Sequence, residues 1–419
     1  MARLFYTLFF YLLTPLIWLR LYWRGRRQPE YRQHLAERRG YYPVRQRRPL
    51  LWVHAVSVGE TRAAQPLIDG LLAAWPGHDL LLTGMTPTGR AAGREVYGDR
   101  VIQAYLPYDH PPAVDRFFRH FSPVFGVLME TEIWPNLLAG ARRHQVPLLL
   151  VNARLSERSA RGYRRIGALV RPAFASLAAV AAQTAADAER LRALGAGKVE
   201  VCGNLKFDVT PAADKLLLGQ SWRQAIGLRP VWLAASTRDG EETLLLAAWR
   251  RLARPDALLV LVPRHPQRFA EVAALLAAEN VCFVRRSEQL PDAGCAVWLG
   301  DSMGEMAAYY ALADLAFIGG SLLPLGGQNL IEAAACGCPV LVGPHTFNFR
   351  QATEDAIAAG AARRVGDVDE LAESLRQLLD NESLRQAMRR AAGEFSAAHR
   401  GAAERTLALI RRTTDRAGR

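Results

Sequence analysis

The chain has 419 residues, half of them apolar, enough for two domains that each bury a core. Its formal charge of +13 is uneven: residues 1–50 hold eleven Arg against only Glu30 and Glu37, a surplus of +9 that leaves about +4 for the rest, which excludes a uniformly basic nucleic-acid binder. The five cysteines are odd in number and lack paired metal spacing, so Cys336-Gly337-Cys338 reads as small buried residues and a reducing cytosol fits.

The first element is LFYTLFFYLLTPLIWL, residues 4–19, followed closely by Arg20, Arg24, Arg26 and Arg27. A secretory signal has its basic region first and a small-residue cleavage site, whereas here the Arg cluster comes afterwards and bulky residues dominate. Trp18, Tyr22 and Trp23 suit a headgroup belt, and the Arg cluster suits an anionic cytoplasmic leaflet. The stretch only just reaches spanning length and Pro15 interrupts it, so a spanning and a half-inserted anchor are both open. The expected location is the cytoplasmic face of a membrane.

Beyond this anchor and connector (1–27), short β-rich runs alternate with Ala/Leu-rich helical patterns. LLWVHAV (50–56), DLLLTG (79–84), VFGVLME (124–130), VPLLLVNA (146–153) and AVAAQT (179–184) predict strands. A second series, VWLAAS, ALLVLVP, CFVRR, AVWLGD, LAFIGG and PVLVG, begins near Val231. Strands alternating with helices predict an α/β fold of two doubly wound domains, 28–208 and 209–419, facing a cleft. Residues 368–412 read as helical, and the last helix is a candidate to cross back. Such folds bind ligands at the carboxyl ends of their strands.

Those strand ends carry the candidate chemistry. In HAVSVGET, Ser57-Val58-Gly59-Glu60 fits a capping box, S-x-x-E, in which both side chains satisfy free helix amides. The segment alone favours the cap; the other reading is that Glu60 faces a cleft and removes a proton. METEIWPN puts Glu130 and Glu132 between an apolar strand and Trp134-Pro135. GNLKFD sets Lys206, one of few lysines, beside the inter-domain link. In the second series, VPRHP offers Arg264 and His265, GDSMGEM a turn with Asp301 or Ser302 as cap, and ASTRDGEE a further strand-to-helix turn. LAFIGGSLLPLGGQNLIEAAACGCPVLVGPHTFNF (315–349) runs from a strand through four glycines to a helix expected near Gln328-Asn329. Such loops let backbone amides and a positive helix end approach a phosphate, and Glu332 can reach ribose hydroxyls. It is neither a dinucleotide fingerprint nor a Walker loop.

Taken in order, HAVSVGET, TPTGR, METEIWPN, NARLSERS, GNLKFD, VPRHP, GDSMGE, GGSLLPLGGQNLIE and GPHTFNF resemble the 3-deoxy-D-manno-octulosonic acid (Kdo) transferases of Gram-negative lipopolysaccharide assembly. The resemblance covers most of the chain. It implies a GT-B glycosyltransferase of two Rossmann-like domains, with CMP-Kdo as donor substrate, a phosphorylated lipid A precursor as acceptor, and no cofactor or metal. It implies Glu60 as catalytic base, with Glu130 and Lys206 stabilising the transition state. It sets CMP contacts at Pro263, Arg264, Met303, Gly304, Glu305, Asn329, Leu330, Ile331 and Glu332. Relatives often show His-Asn-Pro-Leu where this chain has Gln328-Asn329-Leu330-Ile331. On this reading Glu60, at a helix N-terminus, stays ionised, and a single base in a one-step displacement predicts inversion. The rivals are a GT-B transferase using a UDP-sugar, separated by the nucleotide released, and a non-catalytic nucleotide-binding module, which would bind CMP without turnover.

Overall fold

The computed structural model describes residues 1–43 and 46–417, which fall into two compact units, the first running to Val209 and resuming at Arg400, the second Thr210–His399. The first holds seven parallel strands: β1 (Leu50–His54), β2 (Asp79–Gly84), β3 (Ile102–Tyr105), β4 (Phe125–Met129), β5 (Leu148–Ala153), β6 (Ala179–Ala182) and β7 (Val199–Val201). Their order is β3-β2-β1-β4-β5-β6-β7, so the direction of winding reverses between β1 and β4. In such sheets the crevice at the reversal, beyond the carboxyl ends, is where ligands bind.

The second unit repeats the plan with β8 (Val231–Thr237), β9 (Leu258–Pro263), β10 (Phe283–Arg285), β11 (Val297–Leu299), β12 (Leu315–Ile318), β13 (Val340–Val342) and β14 (Ala362–Arg364). Here the order is β10-β11-β9-β8-β12-β13-β14, and the reversal falls between β8 and β12. Strands shielded on both faces read as continuous apolar runs, which is why β1, β4, β8 and β9 are legible as segments and buried along their length. The sequence reading misses β3, β7 and β14. Their IQAY, VEV and ARR lack an apolar run, and sheet pairing rather than local propensity makes them strands.

Helices cover both faces. In the first unit Phe117, Phe118 and Phe121 of the helix Pro111–Phe121 pack on Trp52, with the Trp52 and Phe117 rings edge to face at 4.9 Å. Leu67, Ile68 and Leu71 of Gln65–Ala74 fill the other face together with Leu409 and Ile410 of the closing helix Ala402–Ala417. That closing helix belongs to the first unit, so the second ends at His399 rather than at residue 419. Asp208 holds its start, accepting from the amides of Gly401 at 2.6 Å and Ala403 at 2.5 Å. Arg405 donates to the Cys202 carbonyl at 2.9 Å and Arg412 to Glu200 at 2.7 Å.

The amino-terminal helix α1 (Ala2–Arg27) is long and apolar enough to cross a membrane. Among the described residues it is the one helix that passes that test.

Candidate active site

β1 runs into a short loop and then α2 (Val58–Ala63), capped by Ser57, whose side chain accepts from the Glu60 amide. The Glu60 carboxylate closes back on the same turn. Its Oε2 accepts from the Val56 amide at 2.9 Å, and its Oε1 accepts from the Ser57 hydroxyl at 2.9 Å. The capping arrangement is therefore real, although the backbone donor is Val56 rather than the cap residue. It does not keep the carboxylate ionised. Burial is the largest influence and raises the Glu60 pKa to about 7, against the opposing bonds from Val56 and Ser57. The negative charges of Glu130 and Glu132 push the same way as burial. The expectation that Glu60 stays ionised is thus corrected: desolvation and like charges outweigh the bonds from Val56 and Ser57.

The loop carrying Glu60 is braced from the side by TPTGR. Thr86 caps the helix Pro87–Tyr97 and donates from its hydroxyl to the Val56 carbonyl at 3.2 Å. Below the loop His54 is fully buried, its Nδ1 2.9 Å from the Thr83 hydroxyl, and burial lowers its pKa to about 4, so it is neutral near pH 7.

Glu130 follows β4 with a φ of +57°, a backbone region that costs a non-glycine residue about 1–3 kcal/mol and that clusters at functional sites. Its Oε1 receives the Lys206 ammonium at 3.3 Å, and both side chains are mostly shielded. Lys206 stands on the short 3-10 turn Leu205–Asp208. Asn152, at the end of β5 and also left-handed with φ +51°, accepts from the Leu205 amide at 3.0 Å, while Asn204 accepts from Lys206 N at 3.0 Å. Asn152 was legible only as part of NARLSERS, and its role in seating Lys206 was not. Glu132 accepts from the Trp134 indole at 2.8 Å, and burial raises its pKa as well. Glu60, Glu130, Lys206 and their supports thus gather at the carboxyl edge of the first sheet.

In the second unit the same edge is made mostly of backbone. Ser236, next to the last residue of β8, has φ +58°, and Gly319, just after β12, lies where a Cβ would come within 2.5 Å of the Ser236 carbonyl oxygen. Gly320 (φ +71°) then turns the chain in a conformation that side-chain-bearing residues rarely adopt. Glu241, fully buried, holds this loop: its carboxylate accepts from the amides of Arg238 at 3.0 Å, of Leu322 at 3.1 Å and of Gly320. Sequence reasoning noticed ASTRDGEE but not Glu241. The signal was an acid placed to enter the first turn of a helix after a glycine.

Pro263 is buried at the end of β9, and half-buried Arg264 donates its amide to the Thr237 carbonyl at 3.0 Å. Met303 and Gly304 are exposed. Glu305 accepts from the Ser302 hydroxyl at 2.6 Å and the Arg286 guanidinium at 3.2 Å. The expected cap of the next helix, Met306–Leu312, is absent: no side chain caps it, and Asp301 instead accepts from Ser287. The helix expected near Gln328-Asn329 begins at Ile331 and has five residues, so it offers only a short dipole. Asn329 accepts from the Ile331 amide at 3.2 Å and donates to exposed Glu332 at 3.0 Å. Leu330 and Ile331 are each 1 % exposed as whole residues, so of this segment Asn329 and exposed Glu332 are the parts presented to a ligand.

Residues 33–209 match the family model described as 3-deoxy-D-manno-octulosonic-acid transferase (kdotransferase), and residues 242–395 match glycosyl transferases group 1. The 3-deoxy-D-manno-octulosonic acid transferase of Bordetella pertussis is 48 % identical over 97 % of this chain and 98 % of its own length. The Haemophilus influenzae protein of the same name is 38 % identical over 98 % of each chain. Among solved structures, a glycosyltransferase from Rickettsia africae shares the fold at TM-score 0.61 and 13 % identity, over 88 % of this chain and 99 % of its own. Two Rossmann-like units of this kind make a GT-B glycosyltransferase, and the chain belongs to the 3-deoxy-D-manno-octulosonic acid transferase family.

Proposed function

We propose that this chain moves Kdo from CMP-Kdo to the glucosamine disaccharide of the lipid A precursor, lipid IVA, on the cytoplasmic side of the inner membrane. The names of its relatives support the sugar, and one observation carries the mechanism. Glu60 is a shielded carboxylate whose pKa, about 7, matches the working pH of a general base. Its two oxygens are already held by Val56 and Ser57, so its direction is fixed before an acceptor arrives.

In the proposed reaction, Glu60 takes the acceptor hydroxyl's proton as that oxygen bonds to the anomeric carbon of Kdo. The bond from that carbon to the CMP phosphate oxygen breaks with its electron pair, and CMP leaves. Attack opposite the leaving group inverts the anomeric centre without a covalent sugar-enzyme intermediate. The transition state is cation-like at the sugar and anionic at the departing phosphate. Lys206, held against Glu130, and Arg264 are the cations assigned to that charge, since fixed charges need little reorganisation as the reaction proceeds. Met303, Gly304 and Glu305 and the segment Asn329 to Glu332 are assigned to CMP, the last through the side chains of Asn329 and Glu332. The reaction as written needs no metal or cofactor.

Purified enzyme incubated with CMP-Kdo and lipid IVA is expected to yield acceptor heavier by whole Kdo residues, with CMP released. A turnover that needs a UDP-sugar, or CMP binding without any product, would replace this reading with one of its rivals.

A further inference from the structure

At about 1.5 Å per residue, the 26 residues of α1 reach about 39 Å, longer than the roughly 30 Å hydrocarbon layer of a bilayer, so length permits a span. Its two faces do not. Tyr6, Phe10, Thr14, Trp18, Leu21 and Gly25 recur at helical spacing and point into the first unit. The Tyr6 hydroxyl donates to Asp109 at 2.9 Å, and the Thr14 hydroxyl meets His110 Nε2 at 3.1 Å. The Phe10 and His110 rings stand edge to face at 4.9 Å, as do those of Trp18 and Tyr108 at 5.7 Å. Near the end the Arg32 side chain lies across Gly25, where a Cβ would come within 2.6 Å of it.

These partners are built into the unit. Asp109 also accepts from the amides of Asn136 at 3.0 Å and Leu137 at 2.7 Å, fixing the start of the helix Pro135–Arg143. The first turn of α1 stays beside the same surface, since Met1, Arg3 and Thr7 share a cavity of about 270 Å³ with Asp115, Asn136 and Arg143. The opposite face is apolar and open: Phe5, Leu8, Phe9, Leu12, Leu16 and Leu19 are 53–76 % exposed. An upright α1 would have to break the Tyr6 and Thr14 contacts or draw Asp109, His110 and Asn136 into hydrocarbon, where unpaired polar groups are costly. Lying flat, it keeps every contact and still buries its open face.

We propose that α1 is an in-plane helix seated in one leaflet of an anionic bilayer, with both its ends on the side of the folded units. Charge complementarity selects that occupant. The last two turns bring Arg20, Arg24, Arg26 and Arg27 to the surface. A groove of about 630 Å³ there combines Arg20, Arg26 and Arg32 with Leu16, Leu19 and Trp23, a lining suited to a lipid phosphate above its acyl chain. This deepens the membrane location proposed above and rests on it, but needs no turnover, so its failure is separable from that of sugar transfer.

The test is topological. Full-length protein carrying Ala2→Cys is reconstituted in sealed vesicles containing phosphatidylglycerol and treated with a membrane-impermeant maleimide. Labelling is read peptide by peptide, with exposed native Cys282 marking the side of the folded units. Equal labelling of positions 2 and 282 before detergent is expected. Position 2 protected until detergent is added, while Cys282 labels, would overturn the proposal in favour of a span. Failure of the protein to float with the vesicles would overturn both the proposal and the membrane location. As a second reading, Arg20→Gln with Arg26→Gln is expected to weaken binding to phosphatidylglycerol vesicles roughly 30-fold and to leave binding to neutral phosphatidylcholine vesicles unchanged. An equal loss on both would contradict the assigned headgroup contacts.

Discussion

At the carboxyl edge of the first sheet, Glu60, Glu130 and Lys206 bring ionisable side chains together. At the same edge of the second, Gly319, Gly320 and their neighbours bring backbone amides and turns. The two edges arise from one fold plan, yet their chemistry is tuned by different means. In the first, desolvation and like charges set a protonation state. In the second, a buried carboxylate, Glu241, sets the shape of a loop. Side-chain substitutions should therefore act on rate in the first unit and on donor binding and stability in the second.

The largest effect is expected at Glu60→Gln. Glutamine can still accept from Val56, so the fold should persist, while kcat falls roughly 10²–10⁴-fold, the range of a lost general base. Circular dichroism and steady-state kinetics on the same sample check both halves, and activity near wild type would return Glu60 to a purely capping role.

Next comes Glu241→Ala, which leaves three shielded amides without their acceptor. A loss of roughly 2–4 kcal/mol in urea unfolding is expected, with a raised KM for CMP-Kdo and a smaller change in kcat. A KM and a stability both unchanged would break the contrast between the two edges.

Lys206→Met should lower kcat about 10–100-fold with less change in KM, because a cation assigned to the departing phosphate acts mainly in the transition state. A change confined to KM would make Lys206 a ground-state contact and blur that contrast.

A further effect, on stability alone, sharpens the account of Glu60. The folded chain holds the residue 60 proton up to about pH 7, whereas an unperturbed glutamate releases it near 4.5. Between those values the unfolded state binds fewer protons, so this residue's contribution to stability falls as pH rises. Glu60→Gln is neutral throughout. Its stability relative to wild type should therefore improve from pH 5 to pH 8, by at most about 3 kcal/mol. A difference independent of pH would mean that burial does not perturb the carboxylate.

How much of this was legible in the sequence depended on whether the signal was local. Interior strands such as LLVLVP announce themselves because apolar side chains must cover both faces, whereas β7 and β14 exist only through their neighbours. Glu60, Glu130 and Lys206 could be singled out because charge stood at the end of an apolar run. Their roles came from family resemblance, since HAVSVGE alone favours a cap over a base. The upward shift of the Glu60 pKa was not legible, because it depends first on how far the fold buries the carboxylate, and then on Glu130 and Glu132, more than 60 residues away, coming beside it. Glu241 and Asn152 were missed for the same reason: each acts on backbone that is remote in sequence.

The most direct test of the Glu60 assignment is the pH dependence of kcat/KM for Kdo transfer between pH 5 and 9. A rise of about tenfold per pH unit that levels off near pH 7 in the wild type is predicted, with that step lost from the residual activity of Glu60→Gln. A wild-type profile already flat from pH 5, or an unchanged step in the variant, would contradict a shielded carboxylate as the base.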